Sequence, residues 1–389
     1  MFNLLTGKLV KRERQFHEKY GEIIRLAPDE VSFASEQAWN DIYAFRRGHK
    51  RAGRDKAYYI GEFDGCWIHK SMLTLPAPND MADNLITTND VKFHARVRTL
   101  LSNSFTEESL HTQHPLIEGH ADLLVAKLHA LATKSENMNS GALVNMTDWL
   151  NFFTMDVIGD LAFGESFGCL RTGEYHTWVR TLFSYSKGMS LAAAPRYYPS
   201  VEFLFQKLIP KSVIEGQRQH TQYANKMINR RLELKTDRPD FMTPFMKNNL
   251  NFENMSRDEI LSTFNFIIVG GSETTATTLT GIFNHLSRNE RLLQRLCTEI
   301  RTKFKKETDI TIDKIDHLPY LEAVLNEGLR MCNPIPGGLP RVVPEGGDTY
   351  AGVYLPGVDH PQGRSNLMAL TDKVRRSHIC GQPISQFIR

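Results

Sequence analysis

The sequence predicts a mainly α-helical fold with a small β region. The strongest helix signal runs from Ser256 to Ser287, where about 30 largely apolar residues without a proline would form one helix of roughly 45 Å. Further helical patterns cover 145–163, 290–305 and 319–332. Short strands, separated by Gly and Pro turns, are predicted near residue 22 and again within 333–357, where Tyr350–Leu355 is expected to be one strand.

The composition is that of an ordinary globular protein. Of its 389 residues 41% are apolar, and a net charge of +3 without a long basic run gives no sign of nucleic-acid binding. No apolar run reaches the ~18–20 residues of a membrane span, and residues 1–16 are too short and too charged for a signal peptide or anchor. The five cysteines are odd in number, widely spaced and free of a CxxC motif, which argues against a disulfide framework or a zinc site and suits a reducing compartment.

The first structured region is predicted to be a β-hairpin. Two short strands, Glu22–Leu26 and Glu30–Phe33, flank a turn at Pro28-Asp29. A short helix is expected at 36–48. The stretch 51–89 is punctuated by Gly and Pro without a sustained period, which predicts a long loop of the kind that is often functional.

The next helix begins near Asn89 or Asp90, either of which can cap it. His94 and Arg98 are four residues apart in this helix and therefore share one face. Taken alone, the pattern favours a solvated polar face over a binding site.

The middle of the chain carries helices that predict structure rather than chemistry. Residues 145–163 read as a buried helix, and two or three helices are expected within 176–235. The charge-rich segment 230–245 closes this region, and its charges are expected to form a solvated face.

The long central helix combines a clear start with an unusual middle. Ser256 followed by Glu259 is a capping box. Within the helix, Gly270 and Gly271 each cost about 1 kcal/mol relative to alanine, but they open a groove where a flat group can approach the backbone. Thr274 can bond back to the carbonyl four residues earlier and loosen the helix. A long core helix with a tolerated kink is the alternative interpretation.

A buried carboxylate next to this groove would be costly unless it is paired or used, which makes Glu273 a candidate functional residue. Downstream, Pro319 favours the first turn of another helix, which contains Glu327 and Arg330. The two residues form either a surface ion pair worth a few tenths of a kcal/mol or a buried one. Burial is favoured by three apolar neighbours, Leu325, Leu329 and Met331.

These motifs together resemble the cytochrome P450 family over about Lys19 to Gly357. The segment 270–275, GGSETT, resembles the Ala/Gly-Gly-x-Glu/Asp-Thr-Thr/Ser pattern of the family's central oxygen-binding helix, and Glu327-x-x-Arg330 resembles its structural ion pair. The resemblance implies a P450 fold and haem b. It also implies that Gly270 and Gly271 lie against the haem and that Glu273 and Thr274 relay protons. Residues 1–357 are accordingly predicted to be an incomplete P450-like domain, truncated at both ends.

The resemblance also implies a set of contacts to the haem propionates. Two anionic carboxylates call for cationic or N–H donors on one side, and arginine can bind a carboxylate in a bidentate manner. His94 and Arg98, in the segment HARVR, match the family helix that supplies such donors. Arg341 lies where the family often supplies another.

The pattern breaks after Gly357, and residues 358–389 are predicted to be a divergent tail without a recognisable fold. The family pattern would continue with a Pro-x-Arg-Phe-like segment and the loop Phe-x-x-Gly-x-Arg-x-Cys-x-Gly, whose thiolate is the axial iron ligand. Neither is present. Cys380, in HICGQP, is the only cysteine of the tail and has the following Gly but not the preceding Phe, Gly and Arg.

The resemblance implies a monooxygenase that takes electrons from NADPH through a cytochrome P450 reductase and oxidises a small apolar substrate. The segments HARVR, DRPDFMT and LPRVVPEGG are most similar to fungal P450s of secondary metabolism, including the isotrichodermin hydroxylase type. The family's place is the endoplasmic reticulum membrane, whereas the chain as written is expected to be cytoplasmic. Two alternatives stay open: a non-catalytic remnant or helical binding protein without functional haem, and an unrelated soluble ligand carrier.

Overall fold

The structure is a computed structural model, and it describes residues 6–55, 82–134, 142–181, 211–234, 236–315, 317–357 and 366–369. Most of the loop predicted at 51–89 lies outside these ranges, as does the part of the predicted helical region at 182–210. Cys66 and Cys380 lie outside them as well.

Helices make up most of the described chain, as the sequence predicts. They are α1 (Leu9–Tyr20), α2 (Glu36–Tyr43), α3 (Val91–Ser102), α4 (Glu107–Lys134), α5 (Met146–Phe163), α6 (Cys169–Thr172), α7 (Lys211–Glu233), α8 (Met242–Lys247), α9 (Arg257–Ser287), α10 (Glu290–Lys303), α11 (Ile312–Ile315) and α12 (Pro319–Met331). A further helical segment begins at residue 177, and 3-10 turns lie at Asn103–Phe105, Leu250–Phe252 and Glu307–Asp309.

Local side chains fix where several of these helices begin. The capping box of α9 is confirmed: Ser256 Oγ accepts from Glu259 N–H (3.4 Å) and Glu259 Oε2 accepts from Ser256 N–H (2.7 Å). Asp90, rather than Asn89, caps α3. Pro319 occupies the first turn of α12, as predicted.

The main hydrophobic core forms around α5 and α9. Side chains that are almost fully buried, among them Met155 from α5 and Phe264 and Ile268 from α9, pack there with residues of α3, α7 and α8. The buried helix predicted at 145–163 is therefore confirmed as α5. The C-terminal half of α9 packs against α12, so α9 links the main core to the C-terminal part of the described chain.

A five-stranded sheet forms beside this helical core. Its strands are β1 (Ile23–Ala27), β2 (Glu30–Phe33), β3 (Gly53–Arg54), β4 (Arg341–Val342) and β7 (Asn366–Ala369), in the order β1-β2-β7-β4-β3. β2 and β7 are parallel, and the other pairs are antiparallel. The predicted hairpin is confirmed, with its first strand shifted by one residue. The domain boundary at Gly357 stays a prediction, and β7, beyond it, lies in the middle of this sheet.

A separate hairpin consists of β5 (Asp348–Tyr350) and β6 (Val353–Leu355). The sequence predicted one strand over Tyr350–Leu355, which is wrong. Ala351 (φ 47°) and Gly352 (φ 81°) both have positive φ, and such a two-residue turn reverses the chain between the strands.

The charge-rich segment at 230–245 forms the solvated face that the sequence predicted only in part. Arg231 and Asp240 are buried and paired, with Arg231 Nε 2.7 Å from Asp240 Oδ2. Arg238 pairs with Asp160 of α5. The other described charges of the segment, Arg230, Glu233 and Asp237, are exposed, so the prediction is confirmed for them and wrong for the buried pair. Among the described helices, none combines the length and the apolar character required to cross a membrane.

Candidate functional site

The unusual middle of α9 is a continuous helix in the structure. Thr274 Oγ1 donates to the carbonyl of Gly270 (2.5 Å), as the sequence predicted, and Thr278 Oγ1 donates to the carbonyl of Thr274 (3.2 Å). These back-bonds do not interrupt α9, which is helical throughout from Arg257 to Ser287. The predicted loosening at this point is therefore absent.

The two glycines of the motif lie on different sides of α9. A Cβ on Gly271 would approach Ile158 Cδ1 to 2.6 Å, so Gly271 permits the close contact between α9 and α5. A Cβ on Gly270 would meet only the ring of Phe266, at 3.7 Å. Gly270 is thus the glycine that leaves room on the side of α9 that α5 does not cover.

That less covered side of α9 carries the predicted proton-relay residues. Phe266, Gly270 and Thr274 are spaced by four and share one face. Glu273 lies next to them and is exposed, while Thr274 is half-buried. The side chain of Glu273 is therefore available to solvent and does not carry the cost of burial that its apolar surroundings in the sequence suggested.

A small cleft of about 60 Å³ brings together His94 of α3 and Arg341 of β4. Arg51 and Arg54, which the sequence interpretation missed, line the same cleft. The sequence feature that could have pointed to these two arginines is the Arg-x-x-Arg spacing around the two-residue strand β3. However, no local rule shows that this strand pairs with β4. Asp90 also lines the cleft, and its carboxylate accepts from two N–H groups at the start of α3.

The electrostatics of the cleft are those of an anion site. The pKa of His94 is lowered, first by burial and then by the positive charges of Arg54, Arg51 and Arg98. Arg98 is therefore close enough to act on His94, although it does not line the cleft itself. A cleft in which three arginines surround a histidine attracts carboxylates or phosphates.

Arg341 is held in place by the end of α2. Its guanidinium lies over the ring of Tyr43, 5.1 Å from the centroid, and its Nη1 donates to the carbonyl of Pro340 (3.0 Å). Tyr43 in turn donates from its hydroxyl to the carbonyl of Leu339 (2.9 Å). This arrangement fixes the direction of Arg341 before any ligand binds.

The opposite side of α3 is fastened to the start of α9. Arg96 Nη2 lies 2.8 Å from Glu259 Oε1, and Arg96 also donates to the carbonyl of Asn254. The hydrogen bond from Arg96 is the main reason why the pKa of Glu259 is lowered. Glu259, which belongs to the capping box of α9, thereby also orients α3, the helix of His94.

The pair Glu327–Arg330 is present in α12, with Arg330 Nε 2.6 Å from Glu327 Oε2 and Nη2 2.5 Å from Oε1. The Glu327 and Arg330 side chains are 25% and 20% exposed, so the pair is neither the surface pair nor the buried pair that the sequence left open. The apolar neighbours expected to bury the pair are themselves 42%, 43% and 49% exposed: Leu325, Leu329 and Met331.

The described cysteines all lie away from the cationic cleft's lining. Cys169 is fully buried, and burial raises the pKa of its thiol to about 11. Cys332 packs on α9, where its Sγ would be 2.2 Å from a Cβ on Gly281, and burial raises its pKa as well. Neither thiol is in the electropositive surroundings that stabilise a thiolate. The prediction for Cys380 falls outside the described residues.

Comparison with known proteins gives consistent matches. A family model for cytochrome P450 matches residues 62–360. The chain is 36% identical over 359 residues to cytochrome P450 monooxygenase lcsI of Purpureocillium lilacinum, covering 91% of this chain and 65% of that protein. It is 38% identical over 352 residues to monooxygenase astJ of Aspergillus oryzae (90% and 66%) and 35% identical over 356 residues to monooxygenase cpaH of the same species (92% and 65%). The chain thus spans slightly less than two thirds of the length of these curated relatives.

Proposed function

The chain belongs to the cytochrome P450 family, and from this premise we propose that it acts as a haem-thiolate monooxygenase. Its substrate would be a small apolar intermediate of fungal secondary metabolism, which is hydroxylated or epoxidised. The observation that carries the proposal is the cationic cleft in which His94 and Arg341 meet Arg51 and Arg54.

The residues of the cleft fit the family's cofactor, haem b. Haem carries two carboxylates, and the cleft offers the forked N–H groups of arginine together with the ring nitrogens of His94. Arg98 adds positive charge from the same helix. Arg341, fixed over Tyr43, would bind a carboxylate without a further loss of side-chain freedom.

The less covered face of α9 would form the second wall of the site. Gly270 has no side chain, so a flat macrocycle could lie against the backbone there, whereas Gly271 serves the contact with α5. When bound, haem supplies the activation of dioxygen and the insertion of one oxygen atom into the substrate. The hydroxyl of Thr274 and the exposed carboxylate of Glu273 would hold and pass protons at this face.

Three further parts of the proposal concern the thiolate ligand, the source of electrons and the place of action in the cell. The thiolate ligand would come from Cys380, the only cysteine of the tail after Gly357. Electrons would come from NADPH through cytochrome P450 reductase. The site of action would be the surface of the endoplasmic reticulum, in keeping with the family.

A second candidate, a binding protein without functional haem, is favoured by one specific observation. Leu325 and Leu329, on one side of α12, are 42% and 43% exposed. Met331, which is 49% exposed, lies on the other side of α12, where it lines an apolar groove of about 230 Å³ between α9, α10 and α12. An exposed apolar surface of this kind is typical of a binding face.

The absorbance spectrum of the reduced chain in the presence of carbon monoxide distinguishes the two functions. The chain would be expressed with a haem supply and purified. We expect a Soret band at the position typical of thiolate-ligated haem, because the thiolate pushes electron density onto the iron. Cys380→Ala should abolish the shift, while Cys297→Ala, at a cysteine that does not line the cleft, should retain it.

Haem bound without the shifted band, or a band unaffected by Cys380→Ala, would exclude Cys380 as the axial ligand. A soluble, folded chain that takes up no haem would favour the binding protein.

A further inference from the structure

Arg54 contacts all the separate parts of the chain that form the cationic cleft. It lies in β3, where it is opposite Arg341 of β4. The segment that leads into α3, the helix of His94, lies on its other side. We propose that Arg54 is a positioning residue that holds the helix bearing His94 against the strand bearing Arg341. The inference rests on the proposed function, because it concerns the geometry of the same anion site.

The first contact is made by the main chain of Arg54. Its N–H donates to Asn89 Oδ1 (2.9 Å), and its carbonyl accepts from Asn89 Nδ2 (3.2 Å). The side-chain amide of Asn89 thus makes the two hydrogen bonds that a neighbouring strand would make. Since Asn89 directly precedes Asp90, the cap of α3, this pairing fixes the start of α3 beside β3.

The second contact is made by the guanidinium group. Arg54 Nη1 donates to the carbonyl of Thr88, and Nη2 donates to the carbonyl of Leu85 (2.9 Å). Both carbonyls belong to the short segment before α3. The planar fork of arginine can reach two acceptors at once, which the single ammonium group of lysine cannot reproduce with the same geometry.

The segment that Arg54 grips is itself fastened to α9. Asn84 Oδ1 accepts from the N–H groups of Ile86 (2.9 Å) and Thr87 (3.1 Å), which closes a turn. Asn84 Nδ2 donates to Ser262 Oγ in α9 (3.2 Å), and both residues are buried. Arg54 therefore completes a path of hydrogen bonds that runs from α9 through this turn to β3 and β4.

Arg51 provides a matched control, because it lines the same cleft and carries the same charge. Within the described part of the chain, the side chain of Arg51 has no hydrogen bond of the kind that Arg54 makes to this segment. Arg54→Lys and Arg51→Lys both keep a positive charge in the cleft. Only Arg54→Lys removes the forked contact with the Thr88 and Leu85 carbonyls.

The test measures the imidazole pKa of His94 by NMR in the full chain, together with the melting temperature. His94 faces Arg51 and Arg54 beside β3, Arg341 of β4, and Asp90 and Arg98 of its own helix. If α3 moves away in Arg54→Lys, the pKa of His94 should rise towards its ordinary value. In Arg51→Lys it should stay lowered. A role in stability alone would reduce the melting temperature of Arg54→Lys and leave the His94 pKa unchanged, which would overturn the proposal.

Haem titration adds a second measurement on the same variants. Arg54→Lys should weaken haem binding about tenfold, the effect of losing one charge-assisted hydrogen bond, and should weaken it more than Arg51→Lys, which leaves the contacts with the segment before α3 in place. Equal losses in the two variants would contradict the positioning role. If the unaltered chain binds no haem, the proposed function fails, and the NMR comparison of the two variants still decides whether Arg54 positions His94.

Discussion

Two of the arginine–carboxylate pairs in the described part of the chain, Arg231–Asp240 and Glu327–Arg330, have nearly the same geometry and very different surroundings. Each arginine uses Nε and one terminal nitrogen on both carboxylate oxygens, at 2.7 and 3.1 Å in the first pair and 2.6 and 2.5 Å in the second. The side chains of the first pair are 2% and 0% exposed, whereas Glu327 and Arg330 are 25% and 20% exposed. The comparison shows that bidentate geometry by itself does not indicate how much a pair matters to the fold.

What distinguishes the buried pair is the number of other groups that depend on it. Arg231 also donates to Thr243 Oγ1 (2.8 Å) and to the carbonyl of Leu234 (3.1 Å), and Asp240 accepts from Thr243 N–H (2.9 Å). The pair thereby joins the end of α7 to the start of α8. Gly164, with φ +73°, ends α5 beside it, and a Cβ there would approach Arg231 Cδ to 2.8 Å. Three neighbouring elements, α5, α7 and α8, must therefore be in place before the pair can form.

Removing one member of the buried pair should have the largest effect. Asp240→Ala leaves the Arg231 guanidinium buried without its carboxylate, and we expect the free energy of unfolding to fall by about 3–5 kcal/mol. Urea denaturation followed by circular dichroism measures this change. Asp237→Ala, at an exposed carboxylate three residues away, should change stability by less than about 0.5 kcal/mol.

A double variant separates the attraction within the pair from the penalty of a lone buried charge. Arg231→Met combined with Asp240→Leu should recover most of the stability lost in Asp240→Ala, because no unpaired charge is left in the core. If the double variant is as unstable as the single one, the hydrogen bonds to Thr243 and Leu234 are the important part of the network.

A half-buried carboxyl group, that of Glu30, has no arginine partner among the described residues, and it sharpens the comparison. Burial, and then the charges of Glu13, Asp29 and Asp55, raise the pKa of Glu30 in β2 to about 7. Because the folded-state pKa lies above the value of 4.5 for an unperturbed glutamate, the stability that protonated Glu30 contributes is fully present below pH 4.5. It is lost as the pH rises through 7.

Glu30→Gln should remove this pH dependence. Unfolding curves between pH 4 and 8 should show that the native chain loses on the order of 2 kcal/mol relative to the variant as the pH rises. Glu22→Gln, at an exposed neighbour of the same hairpin, should leave the pH dependence of the native chain unchanged. Parallel curves for the native chain and Glu30→Gln would show that Glu30 ionises in the folded state without cost.

The features that sequence could predict are those decided by neighbours along the chain. The capping box at Ser256, the start of α12 at Pro319 and the back-bond of Thr274 each depend on residues within one helical turn, and the structure has all three. The mainly α fold follows from the same local patterns. Strand Tyr350–Leu355 was predicted wrongly because the turn at Ala351 and Gly352 interrupts an otherwise apolar run.

Burial, by contrast, is decided by distant neighbours. The charges of 230–245 look solvated in sequence because no local signal shows that Gly164 and α5 will cover Arg231. The apolar residues around Glu327 suggest burial, yet Leu325 and Met331 lie at the surface of the described structure. The same limit applies to the candidate site. Sequence could not identify Arg54 as part of it, because its partners Leu85 and Arg341 are distant in the chain and only the fold brings them to Arg54.

The smallest effect is expected at the half-exposed pair of α12. Glu327→Gln keeps the shape of the side chain and removes its charge, and a within-helix pair that is partly solvated contributes about 0.3–1 kcal/mol. Urea denaturation alongside Asp240→Ala gives both values under one condition. A loss close to that of Asp240→Ala would mean that Glu327 holds more of α12 than its contact with Arg330 accounts for. The close contact of Gly328 with Ile282 of α9, where a Cβ would come within 2.2 Å of Ile282 Cγ1, would then be the first place to look for the coupling.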